Sequence, residues 1–281
     1  MTIEFSNIER LLEQLNNAET ITLENITWIE PIGIAILKLF NVTNSQVHLS
    51  LTGRESAVSY CNTILQGSLS SCSTYTPFVP FDNEIDVIAD DITHKIINNA
   101  RNLTTDEKDD LSKYLKYLIR EMMSNVVSHA ESHIGGFITA QYYPKKNKVQ
   151  VVIIDNGIGL KASLSQNYNL NAEKDAIQKA MEKEVTGSNP FASYNNVQKH
   201  AGLGLFFLSK IIENTQGNLL IVSNNTIYKS TQNSFQELNT GFKGTLIAFE
   251  IFEDNLEYEF MQLFNIIKSE GEEDEDEDVF S

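Results

Sequence analysis

The chain has 281 residues, 41% of them hydrophobic, and a formal net charge of −17. It is long enough for one large or two modest domains with real cores. The acid excess argues against a nucleic-acid partner, because phosphate backbones need positive surfaces. No apolar run reaches the roughly 20 residues that cross a bilayer, and MTIEFSNIERLLEQ at the start has neither a basic nor an apolar leader pattern, so the expectation is a cytoplasmic protein without a membrane partner. Cys61 and Cys72 have no metal-ligand spacing, which agrees with a reducing compartment.

In chain order, residues 1–66 alternate short helices and strands. Asn7 to Leu15 reads as a helix, ETITLENI as a strand, Gly33 to Phe40 as a helix, QVHLSL as a strand and Arg54 to Leu65 as a helix. Residues 67–82, rich in Ser, Thr and Pro, read as a linker to a second domain at 83–268. That domain opens with a helix over Glu84 to Arg101. A second helix is announced by Thr104 and Glu107, a capping-box pair in which each side chain satisfies a free backbone amide. Leu111, Leu115, Leu118, Met122 and Val126 form the buried stripe of this helix. Glu121, Asn125 and His129 recur every fourth residue beside it, so they can border a cleft or simply face water.

GGFITAQYY and VQVVIIDN read as a hairpin around PKKNK. The second strand runs into Asp155-Asn156-Gly157-Ile158-Gly159, a carboxylate at a strand end followed by glycines, which suits either a tight turn or a ligand site. HAGLGLFFLSKIIEN sets Gly202 and Gly204 before an apolar helix, a favourable place for an anion. Residues 160–201 between the two glycine boxes show no clear apolar period and read as a mobile lid. The last stretch, 269–281, holds eight acids and no base and reads as a disordered acidic tail that carries about half the net charge.

Four boxes in order, Glu121-x-x-x-Asn125-x-x-x-His129-Ala130, Asp155-x-Gly157-x-Gly159, Gly202-Leu203-Gly204-Leu205 and Gly244-Thr245, resemble those of the GHKL ATP-binding superfamily. The resemblance covers roughly residues 100–252. It implies a Bergerat α/β sandwich binding ATP with Mg²⁺ between its helices and a lid. By the same resemblance Asn125 would ligate Mg²⁺, Glu121 would act as general base, Asp155 would read adenine and Thr245 would support that contact. Gly157 and Gly159 would hinge the lid, and the Gly202-Leu203-Gly204-Leu205 turn would take the phosphates, with Lys199 and His200 as phosphate partners.

A second, fainter resemblance is to STAS domains, on ITLENITWIEPIGIAILKLF. Glu30-Pro31-Ile32-Gly33 stands where those domains carry an acid-Ser-Ser-Gly turn, and it lacks the phosphorylatable hydroxyl, so a degenerate STAS-like docking unit is expected. Together the resemblances imply a regulatory serine/threonine protein kinase similar to anti-sigma factors, acting on a protein substrate. The alternatives are an ATP-operated conformational switch or slow ATPase controlling a protein partner, and a homodimer is compatible with each. A histidine kinase fits less well, because His94 lacks the phosphoacceptor surroundings. The gyrase and MutL branch also fits less well, because only a short segment follows the last box.

Overall fold

A computed structural model of the chain describes residues 1–16, 20–44, 48–66, 74–101, 103–185, 204–257 and 259–269. Its centre is a sheet of seven strands. These are β5 (Val79–Phe81), β6 (Gly136–Tyr143), β7 (Lys148–Asp155), β8 (Asn218–Ser223), β9 (Thr226–Lys229), β10 (Ser234–Glu237) and β11 (Thr245–Phe252). They lie in the order β10-β9-β8-β11-β7-β6-β5, and every neighbouring pair is antiparallel. All eight residues of β7 are buried. Val151 and Ile153 join one core while Val152 and Ile154 join another, which explains why the strand reads as continuously apolar: both faces of the sheet are covered.

One face carries α4 (Ile85–Asn99), α5 (Thr105–His129), α8 (Gly204–Asn214) and α9 (Phe260–Ser269). The capping box that announces α5 is formed, with Thr104 N–H donating to Glu107 Oε2 at 2.7 Å and Glu107 N–H donating to Thr104 Oγ1 at 3.3 Å. The buried stripe of α5 is Leu111, Leu115, Leu118, Met122 and Val126, as its period requires, with Tyr114, Ile119 and Met123 beside it. Between α5, α8 and α9 lies an aromatic cluster in which Phe207 stacks on Phe264 at 4.6 Å and Tyr117 meets Phe260 at 5.5 Å.

The other face carries residues 1–66: β1 (Thr2–Ile3), α1 (Glu9–Gln14), β2 (Thr20–Ile26), β3 (Trp28–Ile29), α2 (Pro31–Thr43), β4 (His48–Gly53) and α3 (Glu55–Gln66). Two small parallel pairs form, β1 with β3 and β2 with β4. Pro31 opens α2 at a position where its missing N–H costs nothing. The helix is largely apolar, with nine buried residues, because it packs on β6 and β7 of the sheet and on α3 of its own layer. Ile32, Ile36 and Leu39 therefore share one core with Val152, Ile154, Val222 and Ala248 of the sheet.

A buried polar group fastens the two layers. Glu30 is 2% exposed. It accepts from Phe5 N–H at 2.8 Å and from Gln150 Nε2 at 3.1 Å. Gln150 also donates to Glu250, which accepts from Asn218 and from the buried ammonium of Lys148. The Glu30-Pro31 turn is thus occupied with tying the layers together.

Two expectations are corrected. Val79–Phe81, at the end of the stretch expected as linker, is the edge strand β5 and pairs with β6. Its single internal proline is tolerated because the strand is an edge. The expected lid contains two ordered helices, α6 (Gly159–Leu164) and α7 (Glu173–Ala180), with Leu164, Ala176, Ile177 and Ala180 buried in the helix-side core. Helices of six and eight residues present too few apolar positions to display a period, so the pattern was silent. Residues 186–201 of that segment and the acidic tail from 270 lie outside the described residues.

Candidate functional site

The polar row on α5 does not face open water. Glu121, Asn125 and His129 are half-buried, and Asn125 and His129 line a cleft between α5, the start of α6, the end of α7, the start of α8 and the ends of β7 and β11. Met122, Val126, Ile153, Leu164 and Ile247 give it an apolar lining, and its empty volume, counted out to the open mouth, is about 750 Å³. An apolar cleft with a few convergent polar groups is the usual form of a small-molecule site.

Asp155 closes the β7 end of the cleft. It is 1% exposed, and its Oδ1 accepts from Gly157 N–H at 2.7 Å and from Thr245 N–H at 3.2 Å. Burial pushes its carboxyl up to about 6, although these backbone donors and the Thr245 hydroxyl pull the other way. A carboxylate so held is a fixed acceptor that lacks the solvation it would have in water. Burial likewise holds the His129 imidazole below its ordinary value.

The glycines after Asp155 have geometric reasons. A Cβ on Gly157 would lie 1.9 Å from the carbonyl oxygen of Ala130, at the end of α5, and the next residue donates its N–H to that same oxygen at 2.8 Å. Gly159 has φ +80, a conformation that favours glycine, and opens α6 against the side chain of Asn224. The Asp155 turn is thereby pressed onto the end of the helix that carries the polar row.

At the other end of the row, Glu121 lies against Gly204. A Cβ added to Gly204 would come within 2.9 Å of Glu121 Oε2. The Glu121 charge, after burial itself, raises the neighbouring Tyr117 hydroxyl. Gly204 and Leu205 begin α8 and line the cleft with Thr245 and Gly159. Among the residues singled out from sequence, the structure therefore brings Asn125, His129, Asp155, Gly159, Gly204, Leu205 and Thr245 to one cleft, with Glu121 and Gly157 packed at its two ends. Lys199, His200, Gly202 and Leu203 lie outside the described residues.

A second layer of contacts was not legible in the sequence. Glu173, on α7, accepts from Ser223 Oγ at 2.6 Å, Asn224 Nδ2 at 2.7 Å and Lys161 N–H at 3.2 Å. Nothing in its local pattern separates it from an ordinary acid in the first turn of a helix.

The cleft fits a purine nucleotide on its own features, with an apolar slot for a planar base, a buried acceptor at the slot's end, and an amide and a bare backbone further along α5. From Glu121 to Ala130 the helix advances by about 13 Å, enough to lay a nucleotide along. The family model described as "Histidine kinase-, DNA gyrase B-, and HSP90-like ATPase" matches residues 110–251, from within α5 through nearly all of β11. A search of curated proteins finds no match to the chain. With half of the chain matched, and with that half containing the whole cleft, the chain belongs to the histidine kinase-, DNA gyrase B- and HSP90-like ATPase family, a class of ATP-binding proteins.

Proposed function

We propose that the cleft binds ATP with Mg²⁺ and that the protein is a regulatory serine/threonine protein kinase of the anti-sigma-factor style. The observation that carries this reading is the half-buried row Glu121, Asn125 and His129, which runs from the bare backbone at Gly204 to the turn that holds Asp155. In this assignment Asp155 accepts from the exocyclic amine of adenine, and Thr245 keeps the carboxylate oriented for it. Asn125 offers a neutral oxygen to the metal. Mg²⁺ bound here would be held by Asn125 together with phosphate oxygens, since Mg²⁺ is usually bound through few protein ligands and the substrate's phosphates. Bound Mg-ATP would supply the transferable terminal phosphoryl group. Glu121, at the Gly204 end, would accept the proton of the attacking hydroxyl. The Gly202 to Leu205 turn would contact the phosphates, with Lys199 as a cationic partner.

A second reading, an ATP-operated switch, draws on a different observation. The layer formed by residues 1–66 shares its core with the back of the same sheet whose strand ends carry Asp155 and Thr245. In that reading the layer is a docking unit, STAS-like in style, whose partner protein senses the nucleotide state of the cleft.

Incubation of the purified protein with terminally labelled ATP and cell lysate separates the two. Labelled protein supports the kinase. Free phosphate, or bound nucleotide without turnover, leaves the switch.

A further inference from the structure

We infer that Glu173 is a positioning residue of the nucleotide site, a latch that fixes the cleft wall formed by α6 and α7 to the turn that carries the base-reading carboxylate. The inference rests on the nucleotide reading of the cleft given above.

The contacts form a closed ring. Glu173 Oε2 accepts from Ser223 Oγ at 2.6 Å and from Lys161 N–H at 3.2 Å, while Oε1 accepts from Asn224 Nδ2 at 2.7 Å. Ser223 is fully buried, and its Oγ accepts in turn from Leu160 N–H at 2.8 Å. Asn224 Nδ2 also donates to Ile158 carbonyl oxygen at 3.2 Å, and its Oδ1 accepts from Gly244 N–H at 3.1 Å. The residue after Gly244 is Thr245, whose N–H donates to Asp155. The segment Ile158 to Lys161, which leaves the Asp155 turn, is therefore held at Ile158 by Asn224, at Leu160 by Ser223 and at Lys161 by Glu173, and the first two side chains, at the end of β8, converge on that same carboxylate.

Charge makes this carboxylate the organiser. Of the three side chains Glu173, Ser223 and Asn224 it is the one that only accepts, and hydrogen bonds to a carboxylate are stronger than neutral ones. Asn224 cannot turn its amide over to suit another partner, because its oxygen is already committed to Gly244 N–H. α7 brings Glu173 to this place and also carries Ala180, which lines the cleft together with Leu160 and Ser163 of α6. Releasing Glu173 frees both the wall and the floor of the base end.

The test is calorimetric binding of adenosine and of Mg-ATP to the full chain. Glu173→Gln keeps size but sets an amide N–H₂ against either the Asn224 N–H₂ or the Lys161 N–H. It is expected to weaken both ligands by a similar factor, about tenfold. Ser223→Ala, which cuts the link from the sheet side, is expected to do the same. Hydrogen exchange at the Leu160, Lys161 and Gly244 amides is expected to quicken in Glu173→Gln while exchange in β6 and β7 stays as in wild type. A merely structural role would quicken exchange across the sheet and would not weaken the two ligands equally. Unchanged affinity in Glu173→Gln, loss confined to Mg-ATP, or exchange quickened across the whole sheet overturns the latch. A wild-type protein that binds neither ligand overturns the nucleotide reading beneath it, an outcome distinct from the other three.

Discussion

Thr245 N–H reaches across 90 residues of chain to donate to Asp155 Oδ1 at 3.2 Å. β11 and β7 are neighbours in the sheet, so their ends deliver the two residues side by side. This pairing holds a carboxylate that burial lifts from an ordinary 3.8 to about 6. A group whose folded value is raised binds extra protons in the folded state between those two values. Its neutral form therefore supports the empty protein fully below pH 4, and that support is lost as the pH rises through 6.

The same shift sets the pH dependence of nucleotide binding with the opposite sense. If the carboxylate form accepts from the adenine amine, as proposed, affinity should be flat above pH 7 and fall as the pH drops through 6, approaching tenfold per unit. Asp155→Asn should bind adenosine weakly and without this dependence. At pH 7.5 the empty variant should be more stable than wild type by about 2–3 kcal/mol, because it no longer buries a charge. Urea unfolding of the two empty proteins checks the stability, and adenosine titrations at pH 5 and 7.5 check the affinity.

Glu121→Gln keeps the shape and the polar contacts but cannot take a proton. If the chain transfers phosphate, turnover should fall by about 10²–10⁴ while nucleotide affinity changes little. Single-turnover assays with labelled ATP, run beside binding measurements, give the two quantities separately. Equal turnover would leave the switch as the surviving reading.

Gly204→Ala tests the other end of the row. The new Cβ would approach Glu121 Oε2 to 2.9 Å and Met122 Cε to 3.3 Å, both ends of flexible side chains, and Glu121 Cβ to 3.1 Å, where α5 and α8 must part by a few tenths of an ångström. The protein should still fold, but the Glu121 carboxylate must move and the backbone approach to phosphates is narrowed. ATP binding should weaken more than ADP binding, and turnover more than either. Comparative titrations of the two nucleotides show whether the loss tracks the terminal phosphate.

Lys148→Met probes the tie between the layers. It leaves the Glu30 and Glu250 carboxylates buried, 2% and 3% exposed, without their cation. Breaking a buried pair from one side costs about 3–5 kcal/mol. The expected outcome is a lower urea midpoint with an unchanged slope. Adenosine affinity under native conditions should be preserved, because Lys148 and Asp155 begin and end the eight-residue strand β7.

The parts of this molecule that sequence reveals are those encoded locally. Thr104 and Glu107 are three residues apart and announce α5 by themselves, and VQVVIID reads as a strand because burial on both faces makes every position apolar. The row at 121, 125 and 129 is equally plain in its spacing, yet whether it faced water or a cleft depended on β7, β11 and α8 arriving beside it. Glu30 illustrates what stays hidden. Its partner Gln150 lies 120 residues away, and a Glu before a proline reads as a turn. α6 and α7 were missed for a related reason, since two short helices held by Glu173 through tertiary contacts need little apolar period of their own.

If the cleft between α5 and the ends of β7 and β11 is a nucleotide site read by Asp155 and Asn125, isothermal titration of Mg-ATP into the wild-type protein, Asp155→Asn and Asn125→Ala at pH 7.5 will show it. One nucleotide per chain is expected for wild type, with a loss of about tenfold or more for Asp155→Asn with or without metal, and a loss for Asn125→Ala that disappears when Mg²⁺ is withheld. Binding of equal strength in all three proteins would exclude these residues as the readers of the nucleotide.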